Sequence, residues 1–146
     1  MKKIKYILLI LLLSACSLNN TPTSKIEELL SKYQSLNKEI IINTNDLAIT
    51  GKEEEIKKII KNQYKNMTYE IKEEKIDGEK ATVTVEIEVL NYKDIINNNK
   101  EDITKELKNT KSKITYTIDF TLTKNKEKWK VDELTEEQKN KLLGIF

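Results

Sequence analysis

Residues 81–90 read ATVTVEIEVL, and residues 113–123 read KITYTIDFTLT. In the first, Ala81, Val83, Val85, Ile87 and Val89 alternate with Thr82, Thr84, Glu86 and Glu88. In the second, Ile114, Tyr116, Ile118, Phe120 and Leu122 alternate with Thr115, Thr117, Asp119, Thr121 and Thr123. Strand side chains project to opposite faces with a period of two, so each stretch predicts a strand with one buried and one wet face. Such strands belong to an antiparallel sheet covered on one side only.

Working outward, each strand acquires a partner. MTYEIKEEKI, residues 67–76, sets Met67, Tyr69 and Ile71 on one face. Asp77-Gly78 follows, a two-residue hairpin signal whose central positions favour positive φ. After the second long strand, KNKEK turns the chain into WKVDEL, with Trp129 and Val131 directed inward. Two hairpins make four strands.

The helices must supply the cover. Ser24 with Glu27 reads as a capping box. Ile26, Leu29, Leu30, Tyr33 and Leu36 then recur at helical spacing, and the helix is expected to end near Ile40–Ile42. Thr50 with Glu53 reads as a second box, ahead of Ile56, Ile59, Ile60, Gln63 and Tyr64. Between them, NTNDLAITG has calcium-loop residue types but fails the pattern: Leu47 stands at the fifth position, and no glycine stands at the sixth. NYKDIINNNKEDITKELKN predicts two short helices or one imperfect one, carrying Tyr92, Ile95, Ile96, Ile103 and Leu107. Thr135 and Gln138 cap a closing helix that buries Leu142 and Leu143 and stops at Gly144, with Ile145 and Phe146 folding back. The order is α-α-β-β-α-β-β-α, an α+β fold with a curved four-stranded antiparallel sheet packed on the N-terminal helices.

The N-terminus is of another kind. MKKIKY is basic, and ILLILLL, Ile7 to Leu13, is far short of the roughly 20 apolar residues that span a bilayer. Residues 1–15 read as a signal peptide. Leu13-Ser14-Ala15-Cys16 follows and contains the only cysteine of the chain. This LSAC resembles the lipobox of bacterial lipoproteins. The resemblance implies a diacylglyceryl group on the Cys16 thiol and cleavage between Ala15 and Cys16. It also implies a place on the outer side of a membrane; with Ser17 second, sorting in a diderm host would be to the outer membrane. Residues 16–23 then form a lipidated tether, and residues 24–146 a single domain.

The element order resembles the cystatin-like roll and, within it, the nuclear-transport-factor-2-like cone. KIEELLSKYQSL, DGEKATVTVEIEV, KITYTIDFTLTK and WKVDEL also resemble small, functionally uncharacterised lipoproteins of low-G+C bacteria. These motifs specify strands and turns, not catalysis.

The chain has no histidine, which removes Ser-His-Asp triads, Cys-His pairs and His-ligated zinc. All 26 basic residues are lysine, and without residues 1–15 they number 23 against 24 acids. That balance gives no basic excess for nucleic acid. The three glycines are isolated, so no phosphate loop is present. The carboxylates alternate with lysine or threonine on wet faces, without the burial or pairing that acid–base catalysis needs. The expectation is therefore a non-enzymatic binding or accessory domain without a cofactor, facing an envelope protein. Two surfaces are candidates. Tyr33, Tyr64, Tyr69, Tyr116 and Trp129 all face inward and either line a ligand pocket, as in related cones, or pack the core. The outer sheet face carries a threonine ladder suited to a protein or glycan partner.

Overall fold

A computed structural model describes residues 20–98 and 103–146. The signal segment, Ala15 and Cys16 lie outside those residues, as does part of NNNK. Strands β1 (Thr68–Asp77), β2 (Lys80–Leu90), β3 (Lys113–Asn125) and β4 (Lys128–Val131) form an open antiparallel sheet in that order. The helices are α1 (Pro22–Gln34), α2 (Glu53–Asn66), α3 (Lys93–Asn97), α4 (Ile103–Asn109) and α5 (Glu136–Leu142), with a 3-10 turn at Thr44–Leu47. The order matches the alternation reading, with the middle helix in two pieces. Val83, Val85, Ile87, Phe120 and Leu122 are fully buried on the inner face, together with Ile26 and Leu30 of α1. Ile59 and Ile60 of α2 are buried in the same core.

Several boundaries differ from the sequence reading. Helix α1 starts at Pro22 rather than after Ser24, because Thr21 is the cap. The Ser24 N–H donates to Thr21 Oγ1 at 3.0 Å, and the Thr21 N–H donates to Ser24 Oγ at 3.0 Å. Proline suits the first helical position, where its missing N–H would have had no partner. Contacts of the described chain begin earlier still, at Asn20. Asn20 donates through Nδ2 to the Glu127 carbonyl at 2.7 Å and accepts from the Trp129 N–H at 3.2 Å. At its other end α1 stops at Gln34, not near Ile40–Ile42, with Leu36 at φ 54 after the C-cap. Thr50 does not cap α2; Lys52 stands there without a side-chain hydrogen bond.

The first hairpin is displaced by one residue. Asp77 pairs with Lys80, so the turn is Gly78-Glu79 and only Gly78 has positive φ. A bulge between Ile71 and Glu73 accompanies this register. It inserts one residue and bends the strand. It also sets Glu74 opposite inward-facing Val83. Glu74 Oε2 there accepts from the N–H and hydroxyl of Thr23, at 2.9 and 2.5 Å, in the first turn of α1. A carboxylate at a helix N-terminus meets unpaired N–H groups and the positive end of the dipole.

Strand β4 pairs only with Leu122–Asn125, which leaves most of the β3 edge open. Helix α5 closes it. The Asp132 N–H, Gln138 Nε2 and Lys141 Nζ donate to the carbonyls of Thr121, Asp119 and Thr117, at 2.9, 2.7 and 3.2 Å. An open edge is a template for pairing with another chain, and these donors occupy it.

The β3–β4 turn carries local strain. Lys126 and Glu127 have φ of 48° and 66°, the left-handed pair of a tight hairpin turn that favours Asn-Gly. The double change Lys126→Asn with Glu127→Gly is expected to stabilise the fold by about 1 kcal/mol, read as a higher urea midpoint at unchanged slope.

Candidate functional site

The five inward rings divide into separate places. Tyr33 of α1 and Tyr64 of α2 meet edge to face, with centroids 4.8 Å apart and planes at 72°. Tyr69 and Tyr116 lie in one row across the sheet, with Ile87 between them. The Tyr116 hydroxyl donates to the Phe146 carbonyl at 3.0 Å, and its ring meets the Phe146 ring at 6.1 Å. Phe146 folds back in this way, though it stays 45% exposed. Trp129 is buried at the β3–β4 hairpin, opposite Lys124, whose ammonium stands 5.6 Å from its ring centre. Positions 116 and 124 are eight residue steps apart along β3. At about 3.3 Å per residue that is roughly 26 Å, too far for Tyr116 and Trp129 to touch one small ligand.

The Tyr33–Tyr64 pair has an acidic neighbour on the 3-10 turn, Asp46. Burial raises both phenol pKa values, and the Asp46 charge adds to each; for Tyr64 the charge of Tyr33 ranks ahead of it. Burial also raises the Asp46 carboxyl, with Lys139 of α5 pulling it down and Glu136 pushing it up. A carboxyl raised by folding favours the folded state fully only while protonated. Its contribution is present below the ordinary value of 3.8 and is lost as pH rises through the folded pKa. Asp46→Asn is accordingly expected to stabilise the protein at pH 7 by a few tenths of a kcal/mol, the carboxyl being largely solvated. The gain should vanish below about pH 3.5, as denaturant titrations at the two pH values would show.

The outer sheet face is built as the alternation predicts. Thr84 Oγ1 donates to Asp119 Oδ1 at 2.6 Å across β2 and β3. Lys72 pairs with Glu70 at 3.0 Å and Glu86 at 3.8 Å, and Lys113 with Glu88 at 3.0 Å. Between these carboxylates lies a shallow depression of about 240 Å³, floored by Thr68 and Thr115. A wider one of about 460 Å³ lies beside the ends of α2 and α4, bordered by Asn62, Asn66, Asn109, Lys108, Lys111 and Lys113. Its lysines complement the carbonyl ends of two helices, and Lys108 is paired with Glu55 at 3.1 Å.

One buried polar group escaped the sequence reading as anything but a face residue. Gln63 is fully buried in α2. Its Nε2 donates to the carbonyls of Leu90 and Leu143, at 2.7 and 2.8 Å, and its Oε1 accepts from the Leu90 N–H at 2.8 Å. It joins the end of β2 to the C-terminal tail, a structural role. Its signal was a glutamine in an otherwise apolar stripe.

Among the described residues no group of three acidic or thiol side chains converges as a metal site, and no helix is long and apolar enough to cross a membrane. No family model, curated protein or solved structure matches this chain.

Proposed function

We propose that this is a lipid-anchored envelope protein whose domain, a cystatin-like roll, binds or positions another envelope component without catalysis. The LSAC sequence supports the anchor. The observation that carries the binding role is the outer sheet face, a broad polar surface of threonines and carboxylates that no described residue covers while the helices pack on the other side. The inward rings support the same reading, being engaged by protein partners: Tyr64 by Tyr33, Tyr116 by Phe146, and Trp129 among the buried residues. Photo-crosslinkers at Thr84 and Thr117, in cells, test it. One discrete partner that disappears with Cys16→Ala supports an anchored accessory domain. Labelling no stronger than at a position on α2 contradicts it.

A second reading rests on Asp46, a carboxyl with a raised pKa beside two phenols. It is a small-ligand site where the 3-10 turn meets Tyr33 of α1 and Tyr64 of α2. A ligand screen that loses its hits in Tyr33→Phe and Asp46→Asn, but keeps them in Thr84→Ala, would favour that site.

A further inference from the structure

The sheet has two edges, and the fold treats them differently. Asp132, Gln138 and Lys141 occupy the β3 edge. Strand β1 ends the sheet on the other side. Among the described residues, no hydrogen bond from outside the ladder with β2 reaches a backbone group of Thr68–Asp77. Eight of its ten residues are exposed. Ile76 is 55% exposed although it lies opposite inward-facing Ala81. An edge strand turns the N–H and C=O of alternate residues away from its neighbour, a template for a further strand.

The bulge decides what can pair there. Glu70, Glu73 and Lys75 lie opposite Glu86, Thr84 and Thr82, on the outer face. Tyr69, Ile71, Glu74 and Ile76 lie opposite Ile87, Val85, Val83 and Ala81, on the inner face. Lys72 is the inserted residue, and its ammonium stands 3.0 Å from Glu70 and 3.8 Å from Glu86, on the outer face as well. Lys72 and Glu73 are therefore consecutive outward residues, and the facing of β1 is symmetric about the bond between them. Residues directly opposite in an antiparallel pair share a face. A second β1, running antiparallel and centred on that bond, matches faces along its whole length.

That register also matches charge. Lys72 meets Glu73 of the second copy, and Glu70 meets its Lys75. On the inner face Tyr69 meets Ile76, covering the exposed isoleucine, and Ile71 meets Glu74. Sliding the copies by two residues sets Glu70 on Glu73 in one direction and Lys72 on Lys75 in the other, like charge on like. The remaining acids have neighbours of their own: Asp77 lies opposite Lys80, and Glu74 accepts from Thr23. Glu86, behind Glu70, adds to the negative side that receives Lys75. A bulge on an edge ordinarily blunts pairing. Here the two bulges meet at the axis, so their bends coincide.

We infer that two copies of the chain pair along β1, with a two-fold axis beside the Lys72–Glu73 bond, and join their four-stranded sheets into one of eight strands. The pairing goes beyond the binding role and holds whether or not Cys16 carries lipid. It doubles the length of the polar outer face.

Sedimentation of the full chain in mild detergent tests it. A single strand pair is a small interface, so the parent should show a reversible monomer–dimer equilibrium between about 10 μM and 1 mM. Glu70→Lys sets lysine on Lys75 at both ends of the interface, and Lys75→Glu sets glutamate on Glu70. Each alone should raise the dissociation constant on the order of 10-fold. An equimolar mixture of the two should recover the parent constant, since opposite charges then meet at both ends. Association through residues 1–15 is common to all variants and does not follow these charges. Register is read by disulfide trapping in a Cys16→Ser background. Glu70→Cys mixed with Lys75→Cys should crosslink, their Cα atoms being about 5 Å apart across the pair. Glu70→Cys alone should not, its two copies being offset by about 16 Å along the strand. A parent that stays monomeric overturns the proposal. So does a dimer indifferent to both charge changes, or one that crosslinks as readily through position 70 alone.

Discussion

Gly144→Ala is expected to cost at least about 4 kcal/mol and to leave little folded protein at 37 °C. Gly144 follows the C-cap of α5 at φ 73. The N–H groups of Gly144 and Ile145 donate to the carbonyls of Lys141 and Asn140 at 3.1 and 3.0 Å, which closes the helix in a Schellman motif. The left-handed conformation alone costs an alanine about 1–2 kcal/mol. The larger part is steric. An added Cβ would collide with the Leu90 carbonyl oxygen and stand 2.5 Å from Gln63 Nε2. Neither can retreat, since each is held by the other. Gly78→Ala is the control: it shares the positive φ, at 60, but nothing lies within 4 Å of its added Cβ. Urea unfolding of both variants should show a loss of about 1 kcal/mol for Gly78→Ala, and the excess for Gly144→Ala measures the collision. Equal losses would mean that the tail is not packed against Leu90.

Gln63→Leu should cost about 3–4 kcal/mol. The change keeps size and burial but removes three hydrogen bonds. The Leu90 carbonyl retains the Tyr92 N–H at 3.1 Å, so the groups stranded are the Leu90 N–H and the Leu143 carbonyl. Each buried unpaired group costs about 1–3 kcal/mol, partly offset by the added apolar burial. Gln63→Glu sharpens the test. Ionised, its carboxylate faces two carbonyl oxygens; protonated, it recovers one donor. Its pKa should therefore be raised by folding, so the variant is more stable near pH 4 than at pH 7. A Gln63→Leu protein as stable as the parent would show that this buried hub does not hold the tail.

The strands were legible because their signal is local and redundant. Five consecutive alternations in ATVTVEIEVL leave one possible facing, and all five apolar residues are buried. The capping residues were less legible for a specific reason. Ser24 with Glu27 matches the Ser or Thr then Glu pattern of a capping box. The cap in place is Thr21 with Ser24, a weaker-looking pair preferred because Pro22 is well suited to open the helix. The hairpin shift at Asp77 depends on the register of the whole sheet and on a bulge at position 72, which no local pattern reports. The cover of the β3 edge by Gln138 and Lys141 is a contact across 19 and 24 residues of chain, invisible to periodicity.

The aromatic residues show the same limit. Inward facing was readable for Tyr33, Tyr64, Tyr69, Tyr116 and Trp129; which of them meet was not. A period of two places a ring on a face, but only strand register places it along that face. Register separates Tyr116 from Trp129, whereas Tyr33 and Tyr64 meet because α1 packs on α2. The raised Asp46 carboxyl was missed because the 3-10 turn that brings it to those phenols reads in sequence as a polar loop.

The most direct test of the account is the mass of the N-terminal peptide of the chain taken from a membrane fraction. The account predicts a peptide that begins at Cys16 and carries a diacylglyceryl group on the thiol. A peptide that retains residues 1–15, or an unmodified Cys16 in a soluble fraction, would contradict it.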